Sequence, residues 1–120
     1  MDSRALVIAS TAGTIAQLVM VISGHFDDSI AALFAVGGMT ISLVAGLLYG
    51  LRARQTTVGT ASLGGLLAGG ICALLGIAVS YFLGDVPASL LLLGTASSAV
   101  TGAIGGLVGR VIATRTQPST

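Results

Sequence analysis

The chain has 120 residues, 54% of them hydrophobic, and carries five Arg and four Asp for a net charge of +1. Charged residues are 8% of the total, against about 25% in soluble domains, and the mean hydropathy is +1.04. That leaves too little polar surface to coat a water-soluble core, and it excludes a disordered tail, a disulfide scaffold built on one Cys, and a nucleic-acid binder.

Lipid is therefore the expected solvent, and crossing about 30 Å of hydrocarbon takes roughly 20 uncharged helical residues. Four stretches qualify. The first runs from Ala5 to Gly24, between Arg4 and His25. The second runs from Ser29 to Leu51, between Asp28 and Arg52. The third lies within Gln55 to Gly84 and becomes apolar near residues 60–61, and the fourth runs from Val86 to Gly109. A polar tail, Thr114 to Thr120, follows. Barrel strands would alternate over about ten positions, whereas Leu90-Leu91-Leu92-Leu93 is apolar on every side. The fold class expected is an all-α membrane protein with four transmembrane helices in one integral-membrane domain, residues 1–120. The first stretch is too long for a signal-peptide core and lacks a clear small-x-small cleavage site, so it is expected to stay as a span.

Four crossings put Arg4, Arg52, Arg54, Arg110 and Arg115 on one side and His25, Asp27, Asp28 and Asp85 on the other. Short basic loops stay cytoplasmic, so a multi-pass protein of the cell (inner or plasma) membrane with both termini cytoplasmic is expected. Phe26, Tyr81 and Phe82 at the outer boundary and Tyr49 at the inner one read as an aromatic belt.

Small side chains recur every four residues in the even spans. Gly38, Ser42, Gly46 and Gly50 lead to Arg54; Gly94, Ser98, Gly102 and Gly106 lead to Arg110, each 56 residues beyond its counterpart. The same offset carries Ala5, Ala9 and Gly13 onto Ala61, Gly65 and Gly69. A tandem duplication of a two-helix hairpin is expected, its copies related by a pseudo-two-fold axis along the membrane normal. Residues at i and i+4 share a helix face, and in lipid small residues let backbones approach closely. Each Gly costs about 1 kcal/mol relative to Ala in a helix, so such stripes imply a packing return. They cluster in the cytoplasmic half, which should be the tighter one, while bulky residues occupy the outer half.

No Asp, Glu, Lys, Arg or His lies inside a span, which argues against proton relays, ion-coupled carriers and voltage sensors. The paired hairpins and glycine stripes are loosely similar to rotary-ATPase proteolipids, but those proteins, like small multidrug exporters, need a membrane carboxylate that is missing here. The resemblance implies no shared activity. Gln17, with Thr14 and Ser10 on nearby turns, is the strongest polar group in a span; interhelical bonding is the ordinary reading, a polar pore lining the alternative. Thr95, Ser97, Ser98 and Thr101 pose the same choice, with bonding to the preceding turn favoured. Asp27, Asp28 and Asp85 read as helix caps, with Pro87 in a first turn, rather than as metal ligands. Cys72 reads as a small apolar residue. Gly64-Gly65 and Gly69-Gly70 lack the nearby Lys of a phosphate loop. The Arg residues can anchor topology or touch anionic headgroups. No cofactor, metal or catalytic residue is expected.

The function expected is a non-enzymatic structural or assembly component, either a homo-oligomer or a subunit of a larger membrane complex, whose partners are the bilayer and other membrane segments. The alternative is a passive pore or small transporter. A holin-like role is weaker, since Arg110 and Arg115 alone make a poor basic tail.

Overall fold

In a computed structural model the described residues are 2–53 and 57–116, and among them helix is the only regular secondary structure. Arg54, Gln55 and Thr56 and residues 117–120 lie outside that set. Helix α1 spans Ser3–Phe26, a single turn α2 spans Asp28–Ala31, and α3, α4 and α5 span Phe34–Arg52, Val58–Phe82 and Ser89–Thr116. The four long helices are each apolar and long enough to cross a membrane.

Helix boundaries follow local chemistry. Asp2 opens α1 by accepting the Ala5 amide at 3.1 Å, and Thr57 opens α4 by accepting the Thr60 amide at 3.1 Å. Two boundaries differ from the sequence expectation. The second span does not begin at Ser29: Asp27 accepts the Ser29 amide and hydroxyl at 3.0 and 2.6 Å and so caps only the turn α2. Helix α3 starts at Phe34, after Leu33, with no side-chain cap. Nineteen residues at 1.5 Å each make about 28 Å, just enough to cross. The fourth helix does not begin beside Asp85. Pro87 restricts the residue before it and cannot donate an amide. Leu90 and Leu91 first close tight turns onto the Pro87 and Ala88 carbonyls, and α5 then runs from Ser89 past Arg110. Gly84, at φ +81°, supplies the left-handed turn that ends α4. The Asp85 carboxylate meets His25 Nδ1 at 2.9 Å instead of capping a helix, joining the end of α1 to the α4–α5 turn.

The bundle measures 52 × 21 × 20 Å. Helices α3 and α4 touch along the middle, while α1 and α5 flank them, each packed against both. One end carries Arg4, Arg52, Arg110 and Arg115, and the other His25, Asp27, Asp28 and Asp85. These are called below the Arg end and the Asp end.

Side-chain size is sorted in reverse of a soluble protein. The interior is built from Ala5, Ala9, Ala45, Ala61, Ala68 and Cys72, while Val7, Val19, Val36, Leu92 and Val100 face outward. Hydrocarbon solvates large apolar groups as well as a core does, so the interior is reserved for residues that bring backbones together. Tyr49 is the largest exception among the described residues and corrects the aromatic-belt reading. It is wholly buried, its ring lies where a Cβ on Gly64 would stand, and its hydroxyl accepts the Asp2 amide at 3.2 Å. Phe26, Tyr81 and Phe82 are exposed at the Asp end.

Truncating a buried aromatic costs roughly 3–5 kcal/mol, and one neutral hydrogen bond about 1. Tyr49→Ala should therefore lower the thermal midpoint in detergent far more than Tyr49→Phe; equal effects would remove the ring from the core.

Candidate functional site

The tightest packing surrounds α5, because its glycines leave two adjacent strips of bare backbone. Toward α4, a Cβ on Gly65 would fall on the Gly102 carbonyl oxygen and 2.8 Å from Gly106 Cα. A Cβ on Gly102 would fall on the Gly65 carbonyl and 2.9 Å from Gly69 Cα. Gly106 faces the Ala61 carbonyl in the same way, and a Cβ on Gly69 would stand 2.8 Å from the Ser98 carbonyl. Carbonyls pointing at Cα atoms from both sides are the arrangement that supports Cα–H···O contacts. The Ser62 hydroxyl adds a bond to the Ala103 carbonyl at 3.1 Å.

Toward α3, a Cβ on Gly46 would fall on the Gly102 carbonyl, and one on Gly50 on the Gly106 carbonyl. Two more glycines share this contact. Gly105 lies against the Leu43 carbonyl and Gly109 against the Leu47 carbonyl. A four-residue count starting at Gly94 passes them over. They sit three residues after Gly102 and Gly106, and i+3 is the other spacing that keeps a helix face together. At the Arg end, Arg110 donates to the Ala53 carbonyl at 3.3 Å, so it closes the end of α3.

Helix α1 joins more loosely. It turns Ala5, Ala9, Gly13, Gln17 and Val21 inward, but a Cβ on Gly13 would meet side-chain atoms of Ala45 and Cys72 at 3.0 Å, not backbone. What fixes this helix is polar. Gln17, 2% exposed, donates through Nε2 to the Gly38 carbonyl at 3.1 Å and to Ser42 Oγ at 3.5 Å, with Cys72 Sγ at 3.9 Å. Ser42 in turn donates to the Gly69 carbonyl at 3.3 Å. One amide thus ties α1 to α3 and, through Ser42, to α4. Its oxygen, Oε1, accepts no hydrogen bond from any described residue.

Nearer the Asp end the helices part. A Cβ on Gly38 would find only Gln17 Oε1 and Met20 Cε, at 3.7 and 3.8 Å. On Gly94 its nearest neighbour would be Ile77 Cδ1, the end of a flexible side chain, at 2.6 Å. The stripe expected to run the length of both helices therefore brings backbones together at Gly46, Gly50, Gly102 and Gly106, but not at Gly38 or Gly94. Those two glycines instead line a cavity of about 210 Å³. Gln17 and Ser98 bound it toward the Arg end, and Met20, Phe34, Ile77 and Leu90 form much of the wall.

Of the polar lining expected from the sequence, only Gln17, Ser97 and Ser98 reach the cavity. Thr14 and Ser10 do not line it. Ser10 Oγ and Thr95 Oγ1 are buried without partners among the described residues, and Thr101 bonds the Ser97 carbonyl one turn back at 2.8 Å. Among the described residues no three of His, Cys, Asp and Glu converge as a metal site would need. Beyond the spans, the Ser29 hydroxyl and amide hold the Asp27 carboxyl below the ordinary carboxylate range.

No family model matches the chain, and no match was found among curated proteins or solved structures.

The geometry separates positions that spacing alone treats as equals. Gly46→Ile and Gly102→Ile must drive backbones apart, and each should cost at least ~3 kcal/mol, in the range of severe overpacking. Gly38→Ala, with room for its methyl, and the outward Leu92→Ile should each change stability by less than about 1 kcal/mol. Thermal unfolding of the four variants in one detergent checks the ranking; uniform tolerance would sink it.

Proposed function

We propose that this chain is a non-catalytic membrane protein that works as an assembly component, a rigid four-span piece that self-associates or joins other membrane subunits. The observation that carries this reading is the backbone-to-backbone contact of α3, α4 and α5 through Gly46, Gly50, Gly65, Gly69, Gly102 and Gly106. Contacts of that kind yield little to bending, because no side chain stands between the helices to repack. No Asp, Glu, Lys, Arg or His stands within the uncharged stretches to run a proton relay. With the glycines used inside the chain, lateral partners would be met through the outward bulky faces, such as Val36, Val44, Leu92 and Val100.

The tandem-hairpin origin belongs to the same reading. Its support is register: parallel helices α3 and α5 touch at Gly46 with Gly102 and at Gly50 with Gly106, pairs separated by the offset of 56 that aligns the two halves of the sequence. A pseudo-two-fold axis would pass between such pairs. The cytoplasmic placement of both termini is supported by the collection of Arg at one end.

The second reading is a passive path, and the cavity above Gln17 is what favours it. Its lining stops at Gln17 and Ser98, so conduction would require the glycine contacts below to open.

One preparation separates the two. Purified in mild detergent, the protein should show a single mass that is a multiple of its 11.8 kDa chain, and vesicles containing it should hold potassium and a trapped dye as well as empty ones. A strictly monomeric protein overturns assembly by self-association. Flux that vanishes in Gln17→Leu replaces the reading with the passive path.

A further inference from the structure

The cavity pairs an apolar wall with an unmet acceptor on Gln17. Gln17 is 2% exposed, and its Nε2 donates to protein groups, whereas Oε1 accepts nothing from the described residues. That oxygen lies where Cβ atoms on Gly38 and Gly76 would come within 3.7 and 3.5 Å, and both glycines line the cavity. Ser80, on the same wall, is also buried, and its hydroxyl has no partner among the described residues. An acceptor that faces a largely apolar cavity with no donor on it is left unsatisfied, so an occupant that brings a hydroxyl is favoured at Oε1.

The wall states what else the occupant must be. Met20, Met39, Phe34, Ile77 and Leu93 belong to it, with thioethers that pack well against aromatic rings. Among the described residues no charged side chain lines it, which excludes an ionic head. Met39 and Leu93, 42% and 64% exposed, stand both on the wall and on the lipid-facing surface, so the entrance opens sideways toward the bilayer. The donor must reach the level of Gln17, near the middle of the first span, where the head of a phospholipid does not go. About 210 Å³ is somewhat larger than a cavity of about 150 Å³ that holds benzene.

We propose that this cavity is a binding site for a neutral lipophilic phenol or alcohol that enters from the bilayer and donates its hydroxyl to Gln17 Oε1. The apolar body lies between Met20, Phe34 and Leu93, and the hydroxyl points inward. The site is independent of whether the protein assembles or conducts, because it lies within one chain.

The test uses two probes of nearly equal size, thymol and p-cymene, which differ by the hydroxyl. The full-length protein is placed in phosphatidylcholine nanodiscs, and saturable binding is read by saturation-transfer NMR against empty discs. Thymol should bind saturably and about tenfold more tightly than p-cymene, the worth of one buried hydrogen bond. In Gln17→Leu the two probes should bind within about twofold of each other. In Gly38→Leu, whose side chain fills the space beside Gln17, saturable binding of both should disappear. Equal binding of the two probes to the unaltered protein overturns the proposal, and that arm needs no variant to fold. So does an unchanged preference in Gln17→Leu, binding that survives Gly38→Leu undiminished, or a complete lack of saturable binding.

Discussion

Lipid gives two apolar helices no reason to meet, since acyl chains solvate leucine as well as another helix would. Adhesion must come from contacts that acyl chains cannot match, and the contact available to a polypeptide is its own backbone brought within reach of another. Gly102 and Gly106 meet this constraint twice, once against α4 and once against α3. The rest of the architecture follows. Alanine and glycine occupy the interior, leucine and valine are displaced to the surface, and the last helix becomes the piece that both central helices grip.

The same constraint explains why the two ends of the bundle differ. Near the Arg end, carbonyls and Cα atoms of α3, α4 and α5 are in contact, and at Gly46, Gly50, Gly65, Gly102 and Gly106 no room remains for a side chain larger than hydrogen. Near the Asp end, Gly38 and Gly94 meet only side chains, and the helices separate around a cavity whose floor is an amide. Gln17 stands at the boundary between these regimes. It replaces backbone contact with hydrogen bonds and supplies α1, the helix with the weakest glycine packing, with its firmest attachment.

Much of the fold was legible because lipid writes it into composition: four uncharged stretches, punctuated by His, Asp and Arg, become four helices long enough to cross. The boundaries were less legible. Asp27 and Asp85 carry a helix-start signature, yet Asp27 closes only a one-turn helix and Asp85 turns to His25. Which backbone a carboxylate caps depends on how the chain turns, and spacing does not encode that. A four-residue rhythm pointed to Gly46, Gly50, Gly102 and Gly106, but it could not say where along the stripe two helices diverge, so Gly38 and Gly94 looked identical to them. It also passed over Gly105 and Gly109, whose i+3 offset adds a second strip to α5. Tyr49 was misjudged for a different reason. Tyrosine near a membrane boundary resembles an interfacial anchor, and its burial depends on Gly64, 15 residues along the chain, vacating the slot that the ring fills.

Gripping by α5 bears on how the molecule is made. A ribosome delivers the chain from its amino terminus, so α1, α3 and α4 enter the bilayer before the segment that locks them exists. During that interval Gly46, Gly50, Gly65 and Gly69 are bare grooves facing lipid or the insertion machinery, and Gln17 can already tether α1 to α3. Synthesis of residues 98–109 then supplies the missing surface to both central helices at once. Completion of the bundle therefore waits on α5, the helix against which both α3 and α4 place their glycines.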